Sequence, residues 1–485
     1  LMYLESFGNP KKFTPLAQRV TRKKPIIAVK SGRTEAGARA AFSHTGALAG
    51  ADVATSTLFD QCGVLRVNTI EEMFTLATAF TSQPLPRGNR IAILTNAGGP
   101  AIMATDVAVT LGLTLSPLEK KTRTALRKRL PSECSVANPV DLIASADAAR
   151  YAVGLKSLLA DATVDGLLVL FVSPTMIDSL EVAKAIARHA RGSRKPVMTC
   201  FMGMDRGAEG VATLRSRSIP VYSFPEEAAQ AMAALHRYRQ IQKKPRGRRV
   251  AYRIDSWKIA ALLRRVRASH RQQLSLQESQ EILAVGGFPQ PPSRVVSSAA
   301  AAIGASWEVG YPVVLKAVLP EFSHKTEAGG VRVDLRNGDE VGKAYQDFCR
   351  RFRKRSLPVL VQKMVKGGRE VILGSFQDRQ FGTLIMFGLG GVFVEAMKDV
   401  SFRAIPITDR DAKEMIESLR GYPLLKGFRG EEGVNEAILE EMLLRLSQLL
   451  SDFPEIEQVD INPFIAGKNR RDCFAVDARI SLVRR

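Results

Sequence analysis

The chain has 485 residues, 45 % of them hydrophobic and 24 % charged, with a formal net charge of +22. That length exceeds what a single hydrophobic core supports and implies about three folded units, while an apolar share of this size excludes a disordered chain. The charge favours anionic ligands without choosing among small phosphorylated molecules, nucleic acid and acidic membrane surfaces.

Cys62, Cys134, Cys200, Cys349 and Cys473 are scattered, with no C-x-x-C pair. That is the pattern of a reducing compartment, without a disulfide framework or zinc site. No apolar run reaches membrane-spanning length, and Leu1-Met2-Tyr3-Leu4-Glu5 lacks signal-peptide character. The chain opens without an initiator methionine and in mid-pattern, so an upstream domain is expected to precede it.

The first unit is expected over residues 1–86. Met2-Tyr3-Leu4-Glu5 reads as the end of one strand and Pro25-Ile26-Ile27-Ala28-Val29-Lys30 as a buried parallel strand, with a crossover helix in 13–22 between them. Such β-α-β succession places sites at the carboxyl ends of the strands, so Glu5 and Lys30-Ser31-Gly32-Arg33 should share one rim. The same rim should hold Ser43-His44-Thr45-Gly46-Ala47-Leu48-Ala49-Gly50, where small residues surround one imidazole and lead into a helix over 52–61. Backbone N–H groups and a positive helix end next to His44 make a phosphate-handling environment. A neutral imidazole nitrogen accepts a phosphoryl group and passes it on. A carboxylate such as Glu5 on the other ring nitrogen would hold the tautomer that leaves the attacking nitrogen free. A packed structural histidine and a solvated strand-end glutamate are the plain alternatives.

The second unit is expected over 87–236. Arg90-Ile91-Ala92-Ile93-Leu94-Thr95-Asn96-Ala97-Gly98-Gly99-Pro100 reads as a strand, a glycine turn and then a helix over 101–111; it lacks the G-x-G-x-x-G spacing of a dinucleotide site. Strands at 166–172, 196–201 and 220–222, separated by helical patterns such as 179–190, make this another doubly wound α/β domain. Asn138-Pro139-Val140-Asp141-Leu142 reads as a polar turn with asparagine as a cap. From 237 to 271 the chain is dense in arginine and lysine, and Pro245 with Gly247 suggests a solvated linker. No aromatic RNA-binding pattern lies beside it, so nucleic acid is not an expected partner.

The third unit is expected over 272–485. Tyr311-Pro312-Val313-Val314-Leu315-Lys316-Ala317 ends an apolar strand on a lysine able to neutralise nucleotide phosphates. Gln362, Lys363 and Met364 read as a strand edge offering backbone groups to a purine, with Glu370 and a Gly388-Leu389-Gly390-Gly391 run following. Val459-Asp460-Ile461-Asn462-Pro463 and Phe474-Ala475-Val476-Asp477 suggest a hairpin presenting the oxygens of Asn462 and Asp477 to one Mg²⁺ that bridges nucleotide phosphates. Taken singly, each of these is also compatible with ordinary structure.

Together, the motifs S-H-T-G-A-L-A-G, N-P-V-D-L, P-V-V-L-K, S-H-K-T-E-A-G-G-V and D-I-N-P make the chain resemble the ADP-forming acyl-CoA synthetases (acetate–CoA ligase type), relatives of succinyl-CoA ligase. The resemblance implies two flavodoxin-like doubly wound ligase domains followed by an ATP-grasp domain, with the family's amino-terminal CoA-binding domain missing here. It implies that His44 is a phosphohistidine with Glu5 as its carboxylate, and His324 a second phosphohistidine with Asp460 as its stabilising acid. Lys316, Gln362, Lys363, Met364 and Glu370 would bind nucleotide, and Asn462 and Asp477 would bind Mg²⁺. The implied activity joins a carboxylate to CoA with ATP going to ADP and phosphate, in a cytoplasmic homo-oligomer. Another ATP-grasp carboxylate ligase without phosphohistidine, or a nucleotide- or CoA-sensing module without turnover, are the alternatives to be separated from it.

Overall fold

The computed structural model describes residues 1–5, 8–32, 52–203, 208–318, 329–378, 380–391, 399–430 and 432–484. It divides into two compact units, one of Leu1–Asp52 and Phe59–Pro245, the other of Val53–Leu58 and Arg246–Arg485.

The first unit holds two parallel sheets. Strands β1 (Met2–Leu4), β2 (Ile27–Lys30) and β3 (Leu65–Val67) lie in that order, with the helix Pro10–Val20 crossing from β1 to β2. Asn9 caps that helix on the Lys12 N–H, and Pro10 opens it where the missing donor costs nothing. The second sheet contains β4 (Arg90–Thr95), β5 (Thr114–Leu115), β6 (Val140–Asp141), β7 (Gly166–Val172), β8 (Val197–Met202) and β9 (Val221–Tyr222). Its order β5-β4-β7-β8-β9 is the flavodoxin-type winding, with the topological switch between β4 and β7. Continuous apolar runs such as Gly166–Val172 are buried on both faces, as a sheet covered on two sides requires. Ala92, Leu94, Leu167 and Val169 pack against the helices Ala148–Ala160 and Ser179–Ala190. Ile91, Ile93, Leu168 and Leu170 face the helices Gly98–Thr110 and Pro225–Lys243.

Asn138 has a different task from the turn cap anticipated for it. Strands β5 and β6 pair with the same edge of β4, one at its start and the other at its end, leaving a gap at Ala92 and Ile93. The Asn138 amide fills it. Its Oδ1 accepts from the Ile93 N–H at 3.0 Å, and its Nδ2 donates to the Ile91 and Ser116 carbonyls at 2.8 and 3.0 Å.

The second unit is built on antiparallel sheets. Strands β10 (Ser293–Val296), β11 (Val313–Ala317), β12 (Val331–Leu335) and β13 (Val359–Lys363) take the order β10-β13-β11-β12, with the helices Ala299–Val309 and Gly338–Arg351 packed on them. The larger sheet joins β14 (Arg369–Asp378), β15 (Gly382–Leu389), β16 (Val400–Ala404), β17 (Ile456–Ala466), β18 (Phe474–Ala475) and β19 (Ala478–Leu482). Leu373, Ile385, Phe387 and Ile461 from it share a core with Met442, Leu443 and Leu446 of the helix Glu436–Asp452.

The basic tract at 237–271 is not a solvated linker. The helix Pro225–Lys243 runs into it, and the helix Ser256–Ala268 lies within it, capped by Asp255. Ile259, Leu262, Leu263 and Val266 of that helix enter the core of the second unit at apolar spacing 0, 3, 4 and 7, while the arginines project outward. The irregular stretch that follows Arg246 is docked on the second unit as well. The Arg248 N–H donates to Asp409 at 2.8 Å, Gln448 exchanges hydrogen bonds of 2.7 and 3.0 Å with the Tyr252 backbone, and the Arg445 guanidinium stacks 4.2 Å from the Tyr252 ring centre.

Candidate active site

The parallel register of β1 on β2 sets Leu4 beside Lys30, so Glu5 and Ser31 leave the sheet at one rim. Ser31 ties the two strands together, donating to the Leu4 carbonyl from its N–H at 3.0 Å and from its Oγ at 3.3 Å. Lys30 is 3 % exposed and its ammonium donates to the Ser31 carbonyl. Burial lowers its pKa, and the nearby carboxylates of Asp52 and Glu5 oppose that shift while Arg66 adds to it. Arg66 in turn pairs with Asp52 at the start of the helix Asp52–Cys62. The rim therefore carries buried positive charge with a half-buried glutamate beside it, an environment suited to an anion. Arg66 is absent from the sequence expectations because a single arginine in a three-residue strand carries no motif. His44 and its glycine-rich neighbours lie outside the described residues.

At the switch point of the second sheet, Asn96 is 3 % exposed and bridges β4 to β7, accepting from the Val172 N–H and donating to the Val172 carbonyl, each at 2.9 Å. The helix begins at Gly98, not at 101, so the two glycines form its first turn in place of a separate loop. Its cap residue Ala97 offers no side-chain acceptor, which leaves the first-turn N–H groups without a side-chain cap. Sequence alone misses this end because an alanine at the cap position gives no signal.

In the second unit two of the expected nucleotide residues converge on one carbonyl. Lys316, 5 % exposed at the end of β11, donates from Nζ to the Val476 oxygen at 2.9 Å. Gln362, fully buried in β13, donates from Nε2 to the same oxygen at 3.3 Å, and its Oε1 has no partner among the described residues. A buried acceptor without a donor is costly and marks a place for a ligand hydrogen-bond donor. The strand-edge reading of Gln362, Lys363 and Met364 is corrected by the sheet order, since β13 lies between β10 and β11. The N–H groups of Lys363 and Met364 already donate to the Pro292 and Pro312 carbonyls at 2.9 and 3.0 Å, and the Lys363 ammonium holds the Gly310 and Tyr311 carbonyls at 2.8 Å. Glu370 is exposed at the start of β14, where its carbonyl accepts from the Gly390 N–H at 2.6 Å. A Cβ on Gly390 would come within 2.6 Å of the Glu370 Cβ, so this part of the glycine run permits a close strand approach.

The remaining expected residues, Asn462, Asp460 and Asp477, lie around the segment that follows Val476. Asn462 is in β17, and its N–H donates to the Asp477 carbonyl at 3.2 Å; Asp477 itself lies in the link before β19 instead of on a hairpin strand. Asp460 stands opposite Arg479 in the β17–β19 register. Burial raises the Asp460 pKa, Arg479 works against that shift, and Asp477 adds to it. The oxygen-bearing side chains of Asn462 and Asp477 are of the type that would hold a magnesium ion taking the rest of its ligands from phosphate and water. His324 lies outside the described residues.

Three family models match the chain: the succinyl-CoA ligase-like flavodoxin domain at residues 1–80, the ligase-CoA domain at 91–244 and an ATP-grasp domain at 265–482. The 4-hydroxybutyrate–CoA ligase [ADP-forming] of Nitrosopumilus maritimus is 36 % identical over 493 residues, covering 99 % of this chain and 70 % of that protein. The chain belongs to the ADP-forming CoA ligase family. Acetate–CoA ligase [ADP-forming] I of Archaeoglobus fulgidus is also 36 % identical, over 469 residues, covering 96 % of this chain and 67 % of that protein. The beta subunit of acetate–CoA ligase [ADP-forming] I of Pyrococcus furiosus is 40 % identical over 230 residues, covering 46 % of this chain and 98 % of that subunit. In this ligase the Glu5–Lys30 rim lies in the flavodoxin-type domain, the uncapped helix end in the ligase-CoA domain, and the Val476 centre in the ATP-grasp domain.

Proposed function

We propose that this ligase converts a carboxylate, CoA and ATP reversibly into acyl-CoA, ADP and phosphate, with the phosphoryl group carried on histidine between a nucleotide pocket and an acyl pocket. The observation that carries the reading is identity of 36 % to an ADP-forming CoA ligase along 99 % of the chain. The convergence of Lys316, Gln362, Asn462 and Asp477 around one short stretch supports the nucleotide half of it.

The roles follow from the chemistry of each group. The Lys316 ammonium neutralises phosphate charge, and the unpartnered Gln362 Oε1 accepts from the exocyclic amine of adenine, which favours ATP over GTP, whose ring carries an acceptor there. In this reading Glu370 belongs to the nucleotide pocket, and Lys363 and Met364 support it through the backbone that holds β13 in its sheet. Mg²⁺ between Asn462 and Asp477 would spread the negative charge of the transferring phosphoryl group. His324 accepts that group at the nucleotide end, with Asp460 as the carboxylate that orients its imidazole. His44 handles it at the acyl end, where Glu5 holds the tautomer and Lys30 supplies positive charge. The carboxylate takes the phosphoryl group to become an acyl phosphate, and the CoA sulfur then displaces phosphate. The free state of all five cysteines supports a cytoplasmic setting; no helix among the described residues is long and apolar enough to cross a membrane. A homo-oligomer is the proposed assembly, checked by light scattering on the purified protein.

The test is incubation of the full-length protein with γ-labelled ATP and Mg²⁺. An acid-labile, base-stable phosphoenzyme is expected, together with loss of carboxylate- and CoA-dependent ADP release in both His44→Ala and His324→Ala. Turnover with no phosphoenzyme points to a ligase in which the acyl phosphate is attacked directly, and retention of ordinary turnover by either variant breaks the relay.

A further inference from the structure

The amino ends of three neighbouring strands in the ligase-CoA domain enclose a second charged site, remote from the switch point. Arg90 is the first residue of β4, Asp165 immediately precedes β7, and Lys195 stands two residues before β8; these strands are adjacent in the sheet. With Arg87 and Arg194 they line a cavity of about 500 Å³ whose floor includes Ala162 and Val164. The end of β4 at Thr95 is five residues away, about 17 Å along an extended strand, so this cavity is not part of the switch-point crevice.

The charges in it do not cancel. Arg90 clamps Asp165 from Nε at 2.8 Å and from Nη2 at 3.0 Å, which uses the one carboxylate in the lining. The neighbouring Asp161 carboxylate is turned to the Glu119 and Thr163 N–H groups at 3.0 and 2.8 Å. Lys195 is half-buried, with its ammonium on the Asp161 carbonyl, and Arg87 and Arg194 are exposed with no hydrogen-bond partner among the described residues. The lining thus holds Arg87, Arg90, Arg194 and Lys195 against the single carboxylate of Asp165, which acts on both Arg90 and Lys195, so positive charge is in excess. Two guanidinium forks and an ammonium match the tetrahedral oxygens of phosphate, with both charge and geometry contributing. The lining has no aromatic residue on which a base could stack.

We propose that this cavity binds a compact polyphosphate anion of pyrophosphate size, held by Arg87, Arg194 and Lys195, at a site separate from the nucleotide pocket. The anion is either free inorganic pyrophosphate or the diphosphate end of a nucleotide, and the two sources are separable by experiment.

Calorimetric titration of the full-length protein with pyrophosphate, in low salt and without Mg²⁺, is compared with the Arg87→Gln/Arg194→Gln double variant and with Lys195→Gln. Wild type is expected to bind at micromolar concentrations, and the double variant at least tenfold more weakly, with ADP binding at the nucleotide pocket and phosphoenzyme formation unchanged. Arg87→Lys/Arg194→Lys keeps the charge but loses the guanidinium forks, so its affinity should fall between those of wild type and the double glutamine variant, and 0.5 M salt should abolish binding, as for any charge-driven site (about 0.5 M brings the screening length below 5 Å). If ADP shows a second, weaker binding phase that the double variant loses, the nucleotide diphosphate is the source; if ADP lacks that phase, inorganic pyrophosphate is. Absence of pyrophosphate binding to wild type below about 1 mM (roughly 4 kcal/mol of binding free energy), or binding undiminished in the double variant and in Lys195→Gln, overturns the proposal.

Discussion

Replacing Gln362 with leucine is expected to move stability and nucleotide affinity in opposite directions. The side chain is fully buried, Nε2 makes one long hydrogen bond of 3.3 Å to the Val476 carbonyl, and Oε1 has no donor among the described residues. An orphaned buried acceptor costs about 1–3 kcal/mol, whereas a neutral hydrogen bond returns about 0.5–1.5 kcal/mol, and less when long. Leucine has a similar volume and no polar atom, so the ligand-free Gln362→Leu protein should gain roughly 1 kcal/mol. The same leucine offers nothing to an adenine amine, and ADP binding should weaken by about 1 kcal/mol, or roughly fivefold. Urea denaturation of the ATP-free protein reads the first effect, and ADP titration of the same sample reads the second. A leucine variant that is destabilised by more than 1 kcal/mol (about fivefold in the folding equilibrium), or that binds ADP as tightly as the parent, refutes the assignment of Oε1 to a ligand.

Three further outcomes are expected. Asn138→Ala strands the Ile93 N–H and Ile91 carbonyl of β4 and the Ser116 carbonyl after β5 and should cost about 2–4 kcal/mol in urea denaturation, and Asn138→Asp should cost more, because its oxygens would then face the Ile91 and Ser116 carbonyls. Lys316→Met should leave the fold intact yet weaken ATP more than adenosine, since the lost charge acts on phosphate; equal weakening of both by calorimetry would contradict this. Glu278 is lowered to about 2 by the Arg271 hydrogen bond, against burial, and Glu441 to about 2 by the Arg470 hydrogen bond, also against burial. Depressed carboxylates stabilise the fold above their unfolded pKa, near 4.3, and lose that contribution as pH falls towards about 2. The urea midpoint should therefore drop between about pH 4 and 2, with a shallower drop in Glu441→Gln.

Much of the fold was legible because burial on both faces of a sheet writes an uninterrupted apolar run. Gly166–Val172 and Ser179–Ala190 could be delimited from residue pattern alone. The helix Ser256–Ala268 was hidden by charge, although its apolar spacing at Ile259, Leu262, Leu263 and Val266 was present in the sequence. The Lys316 ammonium was legible as chemistry, whereas Gln362 was read for its backbone and not for the side-chain amide that meets Lys316 at the Val476 carbonyl; that carbonyl belongs to the backbone, and no residue type announces it.

The order of residues determined the elements and the ligand chemistry each could offer, since helix periodicity, strand alternation and the reactivity of imidazole, ammonium and carboxylate are local properties. Tertiary structure decided which of those groups remained free. Strand β13 is central because β10 and β11 pair on either side of it, so Lys363 and Met364 lost their N–H donors to distant carbonyls while Gln362 kept an empty acceptor. Hydrogen-bond partners separated by 160 positions, as Lys316 and Val476 are, meet only when the chain has closed upon itself.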